Sequence, residues 1–274
     1  MRVWEAIVLG IVEGLTEFLP VSSTGHLTVA ERALGLRVDD PAVTGFTAVI
    51  QIGAIAAVVV ALRADVRRVT LGWFAALRDP ARRGPDSRMG WIVIVGSVPI
   101  GLAAVLFRSL VTGEFRSLWW VAGALVGWSV VMVAAEAVAR RNRSGADLTL
   151  RDGFFVGCFQ ALALVPGVSR SGATIAGGLF RGLDRVTATR LAFLLAIPAM
   201  SAAAVTELDE ALGAGVGLVP TAVGTAVAFA VAFATVGWLL RFVARHSIVV
   251  FAAYRVVVGG ALLVLLATGT VAPR

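Results

Sequence analysis

Hydrophobic residues along this chain are grouped into long blocks that short polar segments separate. Six of these blocks are uninterrupted and contain roughly 16 to 22 residues, close to the ~20 residues that cross the hydrocarbon core of a bilayer as a helix. They cover residues 45–62, 91–107, 118–139, 191–206, 219–240 and 248–268. The pattern therefore predicts an all-α polytopic membrane protein with six transmembrane helices.

Two further stretches, 3–35 and 153–182, are apolar but are broken by polar residues, proline and glycine. Each is too interrupted for one clean span and too apolar for a loop. Irregular backbone at membrane depth is tolerated only where it is buried in protein or lines a cavity. The two stretches are therefore predicted to form re-entrant helical hairpins.

Arginine orients the predicted spans, because cytoplasmic loops of membrane proteins carry an excess of basic residues. All 24 basic residues are arginine, and they gather between the apolar blocks. Segments 63–90, 140–152 and 241–247 are the arginine-rich ones and are placed in the cytoplasm. Segments 108–117 and 207–218 then lie outside, and the second of these is acidic. On this count the first hairpin enters from outside and the second from inside.

The order of one hairpin and three spans occurs twice in opposite orientation, which is an inverted-topology repeat. We predict a single membrane domain over residues 1–274, with one repeat at 1–139 and the other at 152–268. A shift of 147 residues aligns identical residues of the two halves: Gly10 with Gly157, Leu15 with Leu162, Val21 with Val168, Ser22 with Ser169, and Gly25 with Gly172. Inverted repeats with broken helices place their ligand sites near the bilayer midplane.

Composition supports the membrane assignment and limits the partners. Only 15% of the residues are charged and 58% are hydrophobic, whereas a soluble domain carries about 25% charged residues. The net charge of +7 comes from arginines beside apolar blocks, which favours anionic lipid headgroups and argues against a nucleic-acid partner. The single Cys158 excludes an intramolecular disulfide and a multi-cysteine metal site.

The first hairpin contains an unusual group of polar residues. Glu13 and Glu17 are four residues apart and share one face of a helix. Pro20 ends that helix, and residues 22–24 supply hydroxyls where the returning helix needs an N-cap, with His26 in its first turn. An ionised group at bilayer depth costs roughly 2.5–3.5 kcal/mol, so these carboxylates need partners or a cavity.

The second hairpin provides a cation. Pro166 and Gly167 break the apolar stretch, Ser169 and Ser171 can cap a helix, and Arg170 lies at the tip. Helix N-termini favour anions, and a guanidinium can bind two phosphate oxygens at once. Together the two hairpin tips predict a phosphate-binding site in which Arg170 also neutralises the buried carboxylates.

These two segments resemble the signature motifs of the undecaprenyl-diphosphatase, or bacitracin-resistance, family. Those motifs are E-x-x-x-E followed by P-V-S-S-T-G-H, and P-G-x-S-R-S-G-A-T. Both are matched in full, and the similarity extends to the pair Tyr254–Arg255 in the last span. The resemblance implies a phosphatase of the bacterial plasma membrane that removes the terminal phosphate of undecaprenyl diphosphate, with a divalent cation and a site opening to the outer face. The resemblance leaves open whether the protein forms a homo-oligomer.

The resemblance also implies which residues form the site. Catalytic roles fall to Ser23, His26, Glu17, Glu13 and Arg170. Substrate binding falls to Ser22, Thr24, Ser169, Arg170, Ser171 and Thr174. Glu13 and Glu17 suit Mg²⁺ or Ca²⁺, because hard cations prefer oxygen ligands.

Several alternatives stay open at this point. Ser23 could attack the phosphorus with His26 as its base, or His26 could attack directly. Arg255 could form a structural ion pair or a second phosphate contact. An inverted-repeat transporter of an anionic lipid or solute is the competing function, because such repeats are typical of transporters. A Ser–His pair beside two carboxylates favours the enzyme.

Overall fold

The computed structural model describes residues 1–38, 40–107, 109–110, 117–213 and 216–273, without the side chains of residues 206–213. Apart from one isolated bridge between Arg143 and Leu183, every regular element in these residues is helical. The helices are α1 Val3–Thr16, α2 Ser23–Ala33, α3 Pro41–Ala61, α4 Arg63–Arg78, α5 Pro85–Leu106, α6 Leu118–Val138, α7 Leu150–Leu162, α8 Arg170–Phe180, α9 Arg185–Gly213, α10 Leu218–Val243 and α11 Val249–Ala267.

Six of the described helices are long and apolar enough to cross a membrane, namely α3, α5, α6, α9, α10 and α11. Each predicted block lies almost entirely within one of these helices, so the all-helical polytopic class is confirmed. The helix α9 continues to Gly213, so segment 207–218, predicted as a loop, is largely helical. Its acidic side chains, and most of segment 108–117, lie outside the described residues.

Segment 63–90 is not only a connection. It contains α4, and α4 packs against the start of α5, where a Cβ at Gly72 would lie 2.7 Å from the Cβ of Asp86. Arg68 pairs with Asp86 at 3.2 Å across the same contact. The many arginines of α4 suggested a loop because they interrupt the apolar pattern, yet they lie on the exposed face of an amphipathic helix.

The two broken stretches form short helix pairs that pack closely on long helices. A Cβ added at Gly10 in α1 would lie 2.6 Å from the carbonyl oxygen of Gly224 in α10. A Cβ at Gly157 in α7 would come even closer to the carbonyl oxygen of Gly96 in α5. Small residues allow such backbone contact between membrane helices. Each short pair is therefore held rigidly against a long apolar helix.

The loop between α1 and α2 is anchored in the hydrophobic core. Phe18 is 1% exposed, and its ring meets that of Phe193 in α9 edge to face at a centroid distance of 5.4 Å. Aromatic pairs in this geometry add about 0.5–1.5 kcal/mol beyond burial. The polar residues on either side of Phe18 therefore sit on a fixed backbone inside the protein.

Candidate active site

The helices α2 and α8 begin with the same unusual backbone geometry. Their N-cap residues, Ser22 and Ser169, have φ angles of 78° and 75°, in the left-handed region that L-residues rarely adopt. Such a conformation costs on the order of 1–3 kcal/mol and persists only where the surroundings hold it. The hydroxyl of Ser169 accepts a hydrogen bond from the Gly172 amide at 3.2 Å, whereas that of Ser22 makes no capping bond.

Three residues from the two hairpins form a connected group that we name the tip cluster: Glu17, Ser23 and Arg170. Arg170, the first residue of α8, donates a charge-assisted hydrogen bond to one oxygen of the Glu17 carboxylate. The hydroxyl of Ser23, the first residue of α2, donates to the other oxygen at 2.5 Å. The ion pair between the hairpins that the charge pattern predicted is present, and Glu17 is 7% exposed.

Glu13 lies one helical turn before Glu17 and is even more buried, with 1% exposure. Within the described part of the chain its Oε1 atom has no hydrogen-bond partner. Buried polar groups without partners are few in native proteins, and each one needs an explanation. A carboxylate oxygen of this kind beside the tip cluster is suited to a cation, a water molecule or a proton.

The hydroxyls of the second hairpin are engaged within the protein. Ser171 donates to the carbonyl of Leu19 at 2.8 Å and lies 3.1 Å from the hydroxyl of Ser169. The hydroxyl of Thr174 donates to the carbonyl of Arg170 at 2.8 Å, and Thr174 has no exposed surface. These contacts fix the first turn of α8 against the first hairpin. Thr24, by contrast, is exposed in the first turn of α2.

Within the described residues, the ring nitrogens of His26 contact groups other than Ser23. Its Nδ1 atom lies 2.7 Å from the carbonyl oxygen of Ser22, and its Nε2 atom lies 2.7 Å from the hydroxyl of Tyr254 in α11. Ser23 is directed to Glu17 because a hydrogen bond to a carboxylate is roughly twice as strong as a neutral one. In the structure the Ser23 hydroxyl therefore donates its hydrogen bond to the Glu17 carboxylate and not to the imidazole.

Comparison with known proteins places the chain in a family. The family model described as "Bacitracin resistance protein BacA" matches residues 6–261. The chain belongs to the BacA family. It is 54% identical over 268 residues to a protein of Acidothermus cellulolyticus named undecaprenyl-diphosphatase, with 97% of each chain covered. It is 51% identical to undecaprenyl-diphosphatase 3 of Frankia casuarinae, with 99% of each covered, and 49% identical to undecaprenyl-diphosphatase 1 of Streptomyces coelicolor, with 98% of each covered.

The tip cluster gives this member of the BacA family the groups that phosphoryl transfer needs. A hydroxyl is joined to a carboxylate that can accept its proton, and a guanidinium lies beside both. The N-termini of α2 and α8 lie next to them, and the positive end of a helix dipole favours an anion. Positioning and neutralisation of charge account for most of the catalysis of phosphoryl transfer. The arrangement is therefore suited to a phosphate or diphosphate group.

Proposed function

We propose that this chain hydrolyses undecaprenyl diphosphate to undecaprenyl phosphate and inorganic phosphate, and so regenerates the lipid carrier for cell-wall synthesis. The observation that carries the proposal is the bonded chain from Ser23 through Glu17 to Arg170, which joins a nucleophile, a base and a phosphate-binding cation from two hairpins. The names of the relatives, all undecaprenyl-diphosphatases at about half identity, support the choice of this lipid.

When the substrate binds, its terminal phosphate replaces the Glu17 carboxylate as the anionic partner of Arg170. Arg170 is paired with Glu17 in the structure, and its side chain is 18% exposed. The terminal phosphate takes over the guanidinium of Arg170, which can bind two of its oxygens, while the amides at the starts of α2 and α8 bind the rest. Ser22 and Thr24 flank Ser23 at the start of α2, and their hydroxyls complete the phosphate contacts.

Glu17, released from Arg170, is the base in this proposal. The Ser23 oxygen attacks the terminal phosphorus, its proton passes to Glu17, and the bond from that phosphorus to the bridging oxygen breaks so that undecaprenyl phosphate leaves. A water molecule then attacks the phosphoserine, the bond between phosphorus and the Ser23 oxygen breaks, and Glu17 returns its proton to that oxygen. Inorganic phosphate leaves with both protons of the water, which restores the serine hydroxyl and the Glu17 carboxylate. His26 contacts the backbone of Ser22 and orients this turn; direct attack by His26 is the alternative that mutagenesis separates.

The carboxylates also fit a divalent cation. The described residues hold no group of three or more His, Cys, Asp or Glu that would cage a metal unaided. Mg²⁺ is commonly bound through one or two carboxylates together with substrate phosphates, and the unpartnered oxygen of Glu13 suits such a hard cation. Glu13 and Glu17 would hold it, and it would neutralise charge on the phosphate oxygens.

An inverted repeat with two re-entrant hairpins is the proposed arrangement in the membrane. Its support is that Ser22 and Ser169, which are 147 positions apart, share one strained backbone geometry. The packing of α1 on α10 also corresponds to that of α7 on α5. The proposed domain is residues 1–274, with the repeats at 1–139 and 152–268.

Hydrogen bonds between distant segments support the predicted orientation. Arg88 donates to the carbonyl of Ala146 at 2.7 Å, which puts the two arginine-rich segments at the same end of the helices. Arg32, at the end of α2, donates to the carbonyl of Ala272 near the carboxyl terminus at 2.6 Å. We assign the first end to the cytoplasm and the second to the outer face of the bacterial plasma membrane, where the substrate site opens.

The decisive experiment is phosphate release from C55 diphosphate by the purified protein, with and without EDTA. We expect release that stops when the divalent cation is removed and that Arg170→Ala abolishes. The opposite result would be transport of the intact lipid between the leaflets of proteoliposomes without release of phosphate. It would show that the protein is a transporter and that the phosphatase proposal is wrong.

A further inference from the structure

Arg255 in α11 is a fully buried cation, among the largest side chains in the protein with no exposed surface. Within the described residues every hydrogen-bond partner of its guanidinium is uncharged. Burying an ion usually costs several kcal/mol unless it is paired and fully hydrogen-bonded. A position of this kind needs a specific reason, and neither an ion pair nor a snorkelling side chain provides it here.

The partners of Arg255 come from three separate elements. Its five N–H groups make five hydrogen bonds. The Nε atom donates to the Ser129 hydroxyl at 3.3 Å, and one terminal nitrogen donates to the carbonyls of Pro20 at 3.3 Å and Val168 at 3.0 Å. The other terminal nitrogen donates to the carbonyls of Ala124 at 3.2 Å and Gly167 at 2.8 Å. Ala124 and Ser129 lie in α6, whereas the other three acceptors lie in the loops of the two hairpins. One guanidinium thus binds both hairpin loops.

These carbonyls stand next to the strained starts of α2 and α8. Pro20 precedes Ser22 by two residues, and Val168 immediately precedes Ser169. A left-handed φ at a non-glycine residue persists only where the surroundings fix the backbone. The bonds from Arg255 fix the backbone just before both serines. They therefore hold in place the two helix starts that carry Ser23 and Arg170.

We propose that Arg255 is a positioning residue that ties the two hairpin loops together and so sets the distance between the starts of α2 and α8. Through these carbonyls it acts on the tip cluster without touching it. The proposal rests on the proposed phosphatase function only where it concerns turnover; the positioning itself is a property of the backbone.

A direct contact between Arg255 and phosphate does not fit its surroundings. A guanidinium has five N–H donors, and all five are already given to protein oxygens. To bind phosphate it would have to give up some of these bonds. Arg170 differs, since it has one carboxylate partner that an incoming anion can replace.

The first test measures the distance between the hairpins and needs no substrate. Spin labels at Val29 in α2 and Phe180 in α8, both exposed, are introduced in a Cys158→Ala background. We expect a narrow distance distribution in the parent protein and a broadened or shifted one in Arg255→Gln. Arg255→Lys should recover only part of the order, because an ammonium has three donors without a fork. Arg241→Gln, at an exposed arginine near the end of α10, is the matched control and should leave the distribution unchanged.

The second test separates positioning from substrate binding. A misplacement of about 1 Å can lower turnover about 100-fold, so we expect Arg255→Gln to lower kcat by about that factor with little change in KM. A raised KM with unchanged kcat would indicate a phosphate contact and overturn the proposal. A parent-like distance distribution in Arg255→Gln would overturn it whatever the turnover.

Two results keep this inference separate from the phosphatase proposal. Broadening in Arg255→Gln supports the positioning role even if C55 diphosphate is not hydrolysed, because the labels report only the backbone. If Arg255→Gln does not fold, Arg255→Lys takes its place. A lysine variant with both parent-like distances and parent-like kcat would show that the fork is not needed and would refute the proposal.

Discussion

Two buried carboxylates, Glu17 and Asp152, both pair with arginine, but they differ in how completely they are hydrogen-bonded. Asp152, in the first turn of α7, has no exposed side-chain surface and receives both terminal nitrogens of Arg143, at 3.0 and 2.7 Å, and Nε of Arg181 at 2.7 Å. Thr149 adds its amide at 2.9 Å and its hydroxyl at 2.7 Å. Glu17 receives one guanidinium and one hydroxyl.

The difference separates a structural cluster from a site. A fully satisfied polar network rigidifies its surroundings, and adding a ligand would break bonds already made. Asp152 joins the loop before α7 to the end of α8 in this manner. Glu17 has few donors, and the neighbouring Glu13 oxygen has none among the described residues. An incoming phosphate and cation would complete the bonding of the tip cluster, whereas they could only disrupt that of Asp152.

The sharpest test of this contrast exchanges the arginine in each place. Arg170→Lys keeps the charge and loses the bidentate fork, so we expect turnover to fall at least about 10³-fold, nearly as far as in Arg170→Ala. Arg181→Lys, at the Asp152 cluster, should leave turnover within a few-fold of the parent. Phosphate release from C55 diphosphate measures both. Comparable turnover in the two lysine variants would contradict the assignment of the tip cluster as the active site and of the Asp152 cluster as structural.

Substitution of Ser23 is expected to give the next largest loss of turnover, and His26 provides the comparison. With Glu17 as the acceptor of the Ser23 proton, Ser23→Ala should lose about 10³-fold or more of its turnover. His26→Ala should keep measurable activity, because both ring nitrogens contact groups other than Ser23. An acid-labile phosphoenzyme trapped on quenching Ser23→Ala would instead identify His26 as the nucleophile.

Glu13 tests whether the unpartnered oxygen marks a cation. Glu13→Gln removes one negative charge from the proposed cation site and nearly preserves the volume. We expect turnover to fall about 100-fold, because a bound cation contributes several kcal/mol of charge stabilisation. The concentration of Mg²⁺ that gives half-maximal activity should rise as well. Activity is titrated against Mg²⁺ in both proteins, with Glu5→Gln, near the start of α1, as the control. An unchanged Mg²⁺ dependence in Glu13→Gln would place the cation elsewhere.

The features that could be predicted from the sequence are those that depend on residues close together in the chain. Each apolar block and each break by proline or glycine is visible within about 20 residues, so the six long helices and the two helix pairs were predicted. The contact of Arg170 with Glu17 followed from charge complementarity. The partner of His26 is 228 positions away, and Arg255 reaches a carbonyl 235 positions away. Backbone carbonyls leave no mark in a sequence, so these contacts could not be predicted.

Charge pairs at the other end of the molecule were also missed. One carboxylate oxygen of Glu136 in α6 accepts hydrogen bonds from Arg185 and Arg141, and the other accepts one from the Ile248 amide at 3.4 Å. Nothing near Glu136 in the sequence distinguishes Arg185 from the other arginines of the predicted inner segments. Only the packing of α6 against its neighbours selects the pair, because it determines which guanidinium is within reach.

Among these variants, substitution of Asp152 is expected to have the smallest effect on turnover and the clearest effect on the free energy of unfolding. Burial alone would raise its pKa, but hydrogen bonds from Arg143, Arg181 and Thr149 hold the pKa well below the usual range of an aspartate. Asp152→Asn leaves two guanidiniums without their anion, so we expect unfolding in detergent to become easier by about 1–3 kcal/mol, while turnover changes little. Asp147→Asn, at an exposed carboxylate two residues before Thr149, is the control and should change neither.

The pH dependence of that stability follows from the sign of the shift. A depressed pKa means that the folded protein holds Asp152 ionised where the unfolded chain would protonate it, so the stabilisation is complete above the ordinary aspartate pKa of about 3.9. It is lost as the pH falls below that value towards the folded pKa. The difference in unfolding midpoint between the parent and Asp152→Asn should therefore be constant from neutral pH down to about 4 and shrink below it. A difference that already disappears near pH 6 would mean that Asp152 is not held by its donors, and the contrast with Glu17 would fail.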